Sequence, residues 1–196
     1  MNGLINEIRT EINSKKHIIL SVVSGVSIKQ ILKHLETEVP VIRVMPNTAI
    51  AIQESMTCFS ADEKHADALD DAIKIFDALG KTIVIEESLM VPATALCACG
   101  TAFFLRAVRA ASQGGIEIGF HAEDARFMAA QTAKGAASML LEDGKHPEGE
   151  VDKVTTPMGC TISGLNQMEH NGFSSSLIKG IVTSAEKAAT LYANDD

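Results

Sequence analysis

The stretch Val-Ile-Arg-Val-Met-Pro-Asn at residues 41–47 decides the fold class of this chain. Its first part is an almost continuous apolar run, which is typical of a strand buried on both faces of a sheet. The proline and asparagine that follow stop the strand and turn the chain. Because a strand buried on both faces needs helices on both sides, the sequence predicts an α/β sheet around it.

The segments on either side of this strand alternate between strand and helix patterns. Two more apolar runs read as strands, at residues 17–23 and 81–85. Three amphipathic segments read as helices, at residues 5–12, 27–36 and 61–79. Ser27 is a plausible N-cap, and Gly80 is expected to end the third helix in a left-handed conformation. Strand–helix–strand alternation predicts a mainly parallel sheet.

The second half of the chain has a different character. No segment after about residue 91 has strand spacing, and helical patterns cover residues 91–112, 123–142, 162–170 and 174–191. Alanine and glycine are frequent and tryptophan is absent, so the helices can pack closely. The patterns predict two domains, the α/β part at residues 1–89 and an all-helical part at residues 90–196.

Composition excludes several classes of function. The net charge of −8 argues against a nucleic-acid partner, which would need a basic face. No continuous apolar run reaches the ~20 residues that cross a bilayer, and the polar start lacks the pattern of a signal peptide. The cysteines are too irregularly spaced for a disulfide framework, which predicts reduced thiols in a cytoplasmic protein. Cys97 and Cys99 point to different sides of a helix, so no metal site is expected.

A turn rich in hydroxyls and glycine, at residues 155–164, runs into a helical pattern. Such a turn aims several backbone N–H groups at one spot, at the positive end of a helix dipole. That spot suits a small anion such as a carboxylate, and Gly159, Cys160 and Thr161 can supply the donors. The alternative is that Thr161 is only an N-cap, which is worth ~1 kcal/mol.

Four motifs, in this order, resemble pyrroline-5-carboxylate reductase over about residues 7–188. They are the turn at residues 24–27, Met-Pro-Asn-Thr-Ala at residues 45–49, the acidic pair at residues 86–87 followed by Thr94, and residues 155–165 with Glu169. The resemblance implies a partial Rossmann-like parallel sheet followed by a helical dimerisation and substrate-binding domain. The phosphate loop Gly-x-Gly-x-x-Gly of such a sheet is not found in the sequence, so we expect an N-terminally truncated member.

The resemblance also implies a reaction, the reduction of 1-pyrroline-5-carboxylate to L-proline by hydride transfer from NADPH or NADH. The Thr94 hydroxyl would serve the imine nitrogen, Glu87 would bind the ring nitrogen or a water, and the turn at residues 159–161 would bind the carboxylate. The residues near the nicotinamide would be Ser24, Gly25, Pro46 and Asn47. Two chains would form a homodimer through their helical domains, and dimers can assemble into rings.

Simpler interpretations stay open for these residues. Thr94 could only bond the carbonyl one turn back in its helix, and Glu87 could be a solvated loop carboxylate. Asn47 could make only the side-chain hydrogen bonds of an ordinary turn at the end of a strand. For the whole chain, the alternatives are a non-catalytic remnant that dimerises without binding cofactor, and a β-hydroxyacid dehydrogenase with Lys134 as its lysine.

Two departures from the family pattern concern residues near these sites. Cys97 and Cys99 stand where the family has the serines of Ser-Gly-Ser-Gly-Pro-Ala, which exchanges hydroxyls for thiols. Met158 stands in place of the first glycine of Pro-Gly-Gly. This second exchange matters if the position needs a positive φ.

Overall fold

The computed structural model describes residues 2–191, apart from the side chains of Asn2 and Asp143. The chain divides into two compact units. The first unit runs to Thr101 and resumes at Ile181, and the second comprises Ala102–Gly180. The unit boundaries lie away from the predicted domain boundary near residue 89. That boundary was predicted for functional domains and stays a prediction.

The first unit is built on a four-stranded sheet in the order β1-β2-β3-β4. The strands are β1 (Ile19–Ser21), β2 (Val41–Met45), β3 (Ser55–Ala61) and β4 (Gly80–Val84). β1 is parallel to β2 and β3 is parallel to β4, but β2 and β3 are antiparallel. The three predicted strands and the mainly parallel pairing are confirmed, except that the central pair of strands is antiparallel.

The antiparallel pairing involves β3, the strand that the sequence analysis missed. Its residues mix hydroxyls with apolar side chains, so it lacks the continuous apolar run that marks β2. The hydroxyls are nevertheless buried and satisfied, because Ser55 Oγ lies 3.1 Å from Thr57 Oγ1 and accepts a bond from the Asn47 N–H. A short 3₁₀ turn, Thr48–Ile52, reverses the chain between β2 and β3.

Helices cover both faces of the sheet, as the complete burial of β2 requires. They are α1 (Asn2–Ile8), α2 (Ile28–Leu35) and α3 (Ala66–Asp77). Val41 belongs to a core cluster with α1 and α2, whereas Ile42 and Val44 belong to a cluster with α3. Ser27 caps α2 in a capping box with Gln30, as its position predicted.

In the described part of the chain no strand follows β4, and helices joined by short turns make up the rest, which confirms the prediction of an all-helical second half. Its helices are α4 (Met90–Ala93), α5 (Gly100–Glu117), α6 (Ala122–Asp143), α7 (Pro147–Lys153), α8 (Cys160–His170) and α9 (Phe173–Ala189). A π-helical segment, Thr94–Cys99, joins α4 to α5. We call it the π segment. A 3₁₀ turn, Glu87–Leu89, leads into α4.

One helical run, Glu87–Glu117, is long and apolar enough by length and composition to cross a membrane. The run is not continuously apolar, since it contains Arg106 and Arg109, so the prediction about continuous apolar runs is not contradicted. Its most apolar window is 28% buried inside the structure. A single run of this kind does not distinguish a membrane span from the core helix of a soluble protein, which meets the same criterion.

The second unit has little core of its own. Among its described side chains only Ser112, Ala125 and Glu150 are buried. Several large apolar side chains of α5 and α6 are instead 59–79% exposed, namely Phe104, Leu105, Phe127 and Leu141. Because a helix stabilises its apolar face by burying it, these helices present a surface that fits another apolar surface.

Gly80 has a role different from the predicted left-handed helix cap. It is the first residue of β4 with a φ of +144°, and the C-cap of α3 is Ala78 in a right-handed conformation. A Cβ on Gly80 would lie 2.1 Å from the Ser55 carbonyl oxygen in β3. The glycine is therefore required by its positive φ and by the close backbone of β3.

Replacement of Gly80 by alanine should lower the free energy of unfolding by about 2–4 kcal/mol, because strain and overpacking add. Urea denaturation followed by circular dichroism measures the change. The matched control is Gly3→Ala in α1, where a Cβ meets no atom within 4 Å. Equal stability of the two variants would contradict this interpretation of Gly80.

Candidate functional site

The C-terminal ends of β1 and β2 carry the residues predicted to lie near a nicotinamide. These strands are parallel, so the turns that follow them lie at one edge of the sheet. Ser24 and Gly25 follow β1, and Pro46 and Asn47 follow β2. Gly25 has a φ of +78°, and the Ser24 hydroxyl donates to the sulfur of Met45 at 4.0 Å. The structure thus brings the two predicted turns together.

Asn47 connects this edge to the π segment. Its Nδ2 donates to the carbonyl oxygen of Cys97 at 3.3 Å, and its Oδ1 accepts from the N–H of Ala49 at 3.0 Å. The second bond is the ordinary turn chemistry that the sequence left open. The first bond is additional, and it fixes the turn after β2 against the segment that begins with Thr94.

Thr94 is buried at the start of the π segment, with 7% of its surface exposed. Its hydroxyl donates to the carbonyl oxygen of Met90 at 2.9 Å, which is the bond to the preceding turn that the simpler interpretation expects. To serve a substrate as donor, the hydroxyl must leave this carbonyl. Single π turns within α-helices occur frequently at functional sites, so the location agrees with a role for Thr94. Its role in catalysis stays a prediction.

Glu87 lies at the other end of α4, against a buried arginine. Its Oε1 accepts a bond from the N–H of Ile28 at 2.7 Å and lies 3.4 Å from Nη1 of Arg43. The Arg43 side chain is 5% exposed, and burial lowers the pKa of its guanidinium while Glu87 acts in the opposite direction. Among the described residues, Nε and Nη2 of Arg43 have no hydrogen-bond partner.

This carboxylate therefore joins the start of α2, the middle of β2 and the turn before α4. Glu87 is not a purely solvated loop residue, since its side chain is 36% exposed and has two partners within the chain. Its predicted contact with substrate stays a prediction. Arg43 was not predicted as a site residue, although an arginine inside an apolar run is a signal that a buried charge needs a partner.

The groove beside Glu87 is acidic. Its polar lining comes mainly from Ser60, Asp62, Glu63, Glu86 and Glu87. Because like charges repel, this groove disfavours a carboxylate or a phosphate. A small anion fits better at the turn before α8.

In the turn before α8, the position where Met158 replaces the family's glycine has a positive φ. Met158 adopts a φ of +59°, so it occupies the left-handed region that favours glycine. Gly159 is the N-cap of α8, and a Cβ there would lie 2.5 Å from the Thr156 hydroxyl oxygen. The exchange of glycine for Met158 thus places a nonglycine residue in a strained conformation.

Thr161 is an exposed residue in the first turn of α8 and does not cap it. The N-cap is Gly159, and no side chain caps this N-terminus. The alternative that Thr161 is only an N-cap is therefore wrong. The first N–H groups of α8 have no side-chain cap and suit an anion, and the part of the Thr161 hydroxyl in such a site stays a prediction.

The predicted site residues fall into two groups. Those near β2 and α4 belong to the first unit, namely Ser24, Gly25, Pro46, Asn47, Glu87 and Thr94. Gly159, Cys160 and Thr161 belong to the second unit. Within the first unit, Asn47 binds the Cys97 carbonyl after α4, and Glu87, just before α4, pairs with Arg43 in β2.

Cys97 also meets a cysteine that the sequence did not pair with it. Its Sγ lies 3.9 Å from Sγ of Cys58 in β3. A hydrogen bond from Cys58 lowers the pKa of the Cys97 thiol to about 7, and the same bond, together with burial, raises the pKa of Cys58. The pair could not be found from sequence because β3 was not predicted.

The family comparisons agree with the resemblance. Residues 87–191 match the family model described as pyrroline-5-carboxylate reductase dimerisation. Pyrroline-5-carboxylate reductases 1 and 2 of Dictyostelium discoideum are 59% and 56% identical to this chain over 98% and 92% of its length. The chain spans 37% and 65% of the lengths of these relatives. The Methanosarcina acetivorans relative is 31% identical, over 97% of this chain and 71% of its own length.

Solved structures share the fold. Plasmodium falciparum pyrroline carboxylate reductase with NADP bound has a TM-score of 0.88 at 23% identity, over 96% of this chain and 71% of that chain. The Coxiella burnetii pyrroline-5-carboxylate reductase has a TM-score of 0.87 at 25% identity, over 95% and 70%. The predicted class, a partial Rossmann-like sheet followed by helices, is confirmed, with mixed rather than parallel strands.

Replacement of Glu87 by glutamine should lower the free energy of unfolding by about 1–3 kcal/mol. Glutamine keeps an acceptor for the N–H of Ile28 but removes the charge opposite the buried Arg43. The matched control is Glu86→Gln, at an exposed neighbour, which should change stability by less than about 0.5 kcal/mol. Urea unfolding measures both, and equal losses would show that the ion pair contributes nothing.

Proposed function

This chain belongs to the pyrroline-5-carboxylate reductase family, and from this premise we propose that it takes part in the reduction of 1-pyrroline-5-carboxylate to L-proline by NADPH or NADH. The observation that carries this proposal is the hydrogen bond from Asn47 to the carbonyl of Cys97. It holds the sheet edge expected near the nicotinamide against the π segment that begins with Thr94. A reaction between a cofactor and a substrate needs these two parts held in a fixed geometry.

The sheet edge fits the nicotinamide end of such a cofactor. In open α/β sheets, ligands bind beyond the carboxyl ends of the strands, and Ser24, Gly25, Pro46 and Asn47 lie there. Gly25, with a φ of +78° and no Cβ, lets a ligand approach the backbone. When bound, the cofactor supplies the hydride. The phosphate-binding glycine motif is not found in the sequence, so this chain by itself is expected to bind the cofactor weakly.

The free edge of β1 supports a larger sheet. β1 is an edge strand of the described sheet, and Ile18, Leu20 and Val22 around it are 37–57% exposed. An apolar edge with unpaired backbone groups is a template for another strand. We propose that a further strand of the dinucleotide-binding sheet pairs there.

In this proposal two groups of donors act on the substrate. The N–H groups of Cys160 and Thr161, with the Thr161 hydroxyl, bind the carboxylate at the start of α8. The Thr94 hydroxyl turns from Met90 to donate to the imine nitrogen, which gains a proton as hydride arrives at carbon. Glu87 keeps the turn before α4 in place, and it binds the ring nitrogen or an ordered water.

The helical part is proposed to form a homodimer, with rings of dimers as a further step. The matched family model is named for dimerisation and covers residues 87–191. The exposed apolar side chains of α5 and α6 supply a surface for a second copy. Residues 90–196 are therefore proposed as the dimerisation and substrate domain, and a cytoplasmic location stays a prediction.

The proposal is tested by NADPH and NADH oxidation with 1-pyrroline-5-carboxylate. The assay compares this chain with a fusion protein. In the fusion, the N-terminal residues that a Dictyostelium discoideum relative has ahead of the matched region are joined to the start of this chain. Turnover by the fusion supports the proposal. A fusion that dimerises in sedimentation but binds no cofactor favours the alternative, a non-catalytic remnant. The family model that matches residues 87–191 favours a pyrroline-5-carboxylate reductase over a β-hydroxyacid dehydrogenase with Lys134.

Thr94→Val in the fusion should lower kcat by about 10²-fold, since a positioned proton donor contributes at least that much. The matched control is Thr101→Val, because Thr101 makes the same type of bond, to the Cys97 carbonyl at 3.2 Å. Steady-state kinetics measure both variants. An unchanged kcat for Thr94→Val would remove this hydroxyl from the reaction.

Thr161→Ala should raise KM by about 10-fold through the loss of one hydrogen bond to a carboxylate. It should leave stability nearly unchanged, because Thr161 is exposed and caps nothing. Ser163→Ala is the control, since this exposed hydroxyl of the same helix bonds the Gly159 carbonyl. A lower stability with an unchanged KM would show a structural role alone.

A further inference from the structure

Cys58 and Cys97 form a close pair of thiols that the proposed reaction does not use. Their sulfur atoms lie 3.9 Å apart, in β3 and in the π segment. A disulfide bond is about 2 Å long, so the two sulfur atoms need to approach by about 2 Å.

The two thiols have unequal access to solvent. Cys58 is 3% exposed and lies in a core cluster with Met45 and Met90, whereas Cys97 packs at the margin of that cluster and is half-buried. Cys97 is therefore the thiol that a small reagent can reach. Cys58 then lies behind it, at the position of a resolving thiol.

The contact between the thiols also favours reaction at Cys97. The hydrogen bond from Cys58 stabilises the negative charge on the Cys97 sulfur and holds its pKa at about 7. The thiolate is the attacking species in thiol–disulfide exchange. The thiol of the more exposed cysteine is thus also the better nucleophile.

We propose that Cys58 and Cys97 are an oxidisable pair, which a low-molecular-weight disulfide converts to an intramolecular disulfide. The Cys97 thiolate attacks one sulfur of the reagent, forms a mixed disulfide and releases one small thiolate. Cys58 then loses its proton, and its sulfur attacks Sγ of Cys97 and releases the second small thiol. The reagent is reduced to two thiols, and the two cysteines are oxidised.

The bond would tie the π segment to β3. The carbonyl of Cys97 accepts bonds from Nδ2 of Asn47 and from the hydroxyl of Thr101, so movement of Cys97 acts on both partners. Any effect of oxidation on turnover rests on the proposed function, since it concerns the segment that begins with Thr94. The pairing itself is therefore tested without an activity assay.

The experiment treats the folded chain with oxidised glutathione and identifies its disulfides by peptide mapping and intact mass. In the Cys99→Ser/Cys160→Ser variant, only Cys58 and Cys97 remain. We expect both thiols to disappear, no glutathione to be retained, and one link between residues 58 and 97. Addition of Cys58→Ser should leave one glutathione on Cys97, because the resolving thiol is absent.

A second arm repeats the reaction on the chain unfolded in urea, where closure should be at least about 10-fold slower because the two thiols are no longer held close. Peptide mapping of the unsubstituted chain keeps the test independent of the variants' folding. A persistent glutathione adduct with both thiols present, a link to Cys99 or Cys160, or closure equally fast in urea would overturn the proposal.

Discussion

The contact of Glu87 with Arg43 and Ile28 is the constraint on which the first unit depends. β2 is buried along its whole length, so its arginine must place a charge inside the protein. Burial of an unpaired guanidinium is costly, and the Glu87 carboxylate offsets that cost from 3.4 Å. Because the same oxygen receives the N–H of Ile28, one charge fixes β2, α2 and the entrance to α4 together.

This constraint also determines where the candidate site can lie. α4 starts at the Glu87 turn, and the π segment that follows it is held at Asn47 by the Cys97 carbonyl. α4 and the π segment are thus fixed to the sheet at both ends, by Glu87 and by Asn47. Met45, Met90 and Ala93 pack in one core cluster between these two contacts. The geometry of the sheet edge and of Thr94 then depends on backbone and buried contacts more than on mobile surface groups.

Much of the fold could be predicted from sequence, because β2 and the long helices have strong periodic patterns. β3 could not, since its buried hydroxyls depend on partners such as Ser55 with Thr57, which only the folded sheet supplies. Its absence from the prediction hid both the antiparallel pairing and the thiol pair. Motifs identified the turns after β1 and β2 and the unusual Met158. They could not show that Glu87 accepts a bond from Ile28 or that Asn47 donates one to Cys97, because these contacts join residues far apart in sequence.

The thin core of the second unit has a consequence for its energetics. Helices that bury only Ser112, Ala125 and Glu150 among their described side chains gain little hydrophobic free energy from one copy alone. If association supplies the remainder, folding and binding share one equilibrium, and the apparent stability of the helices depends on protomer concentration. Dilution then acts on these helices as a mild denaturant does, while the sheet, with its own cores, keeps its stability.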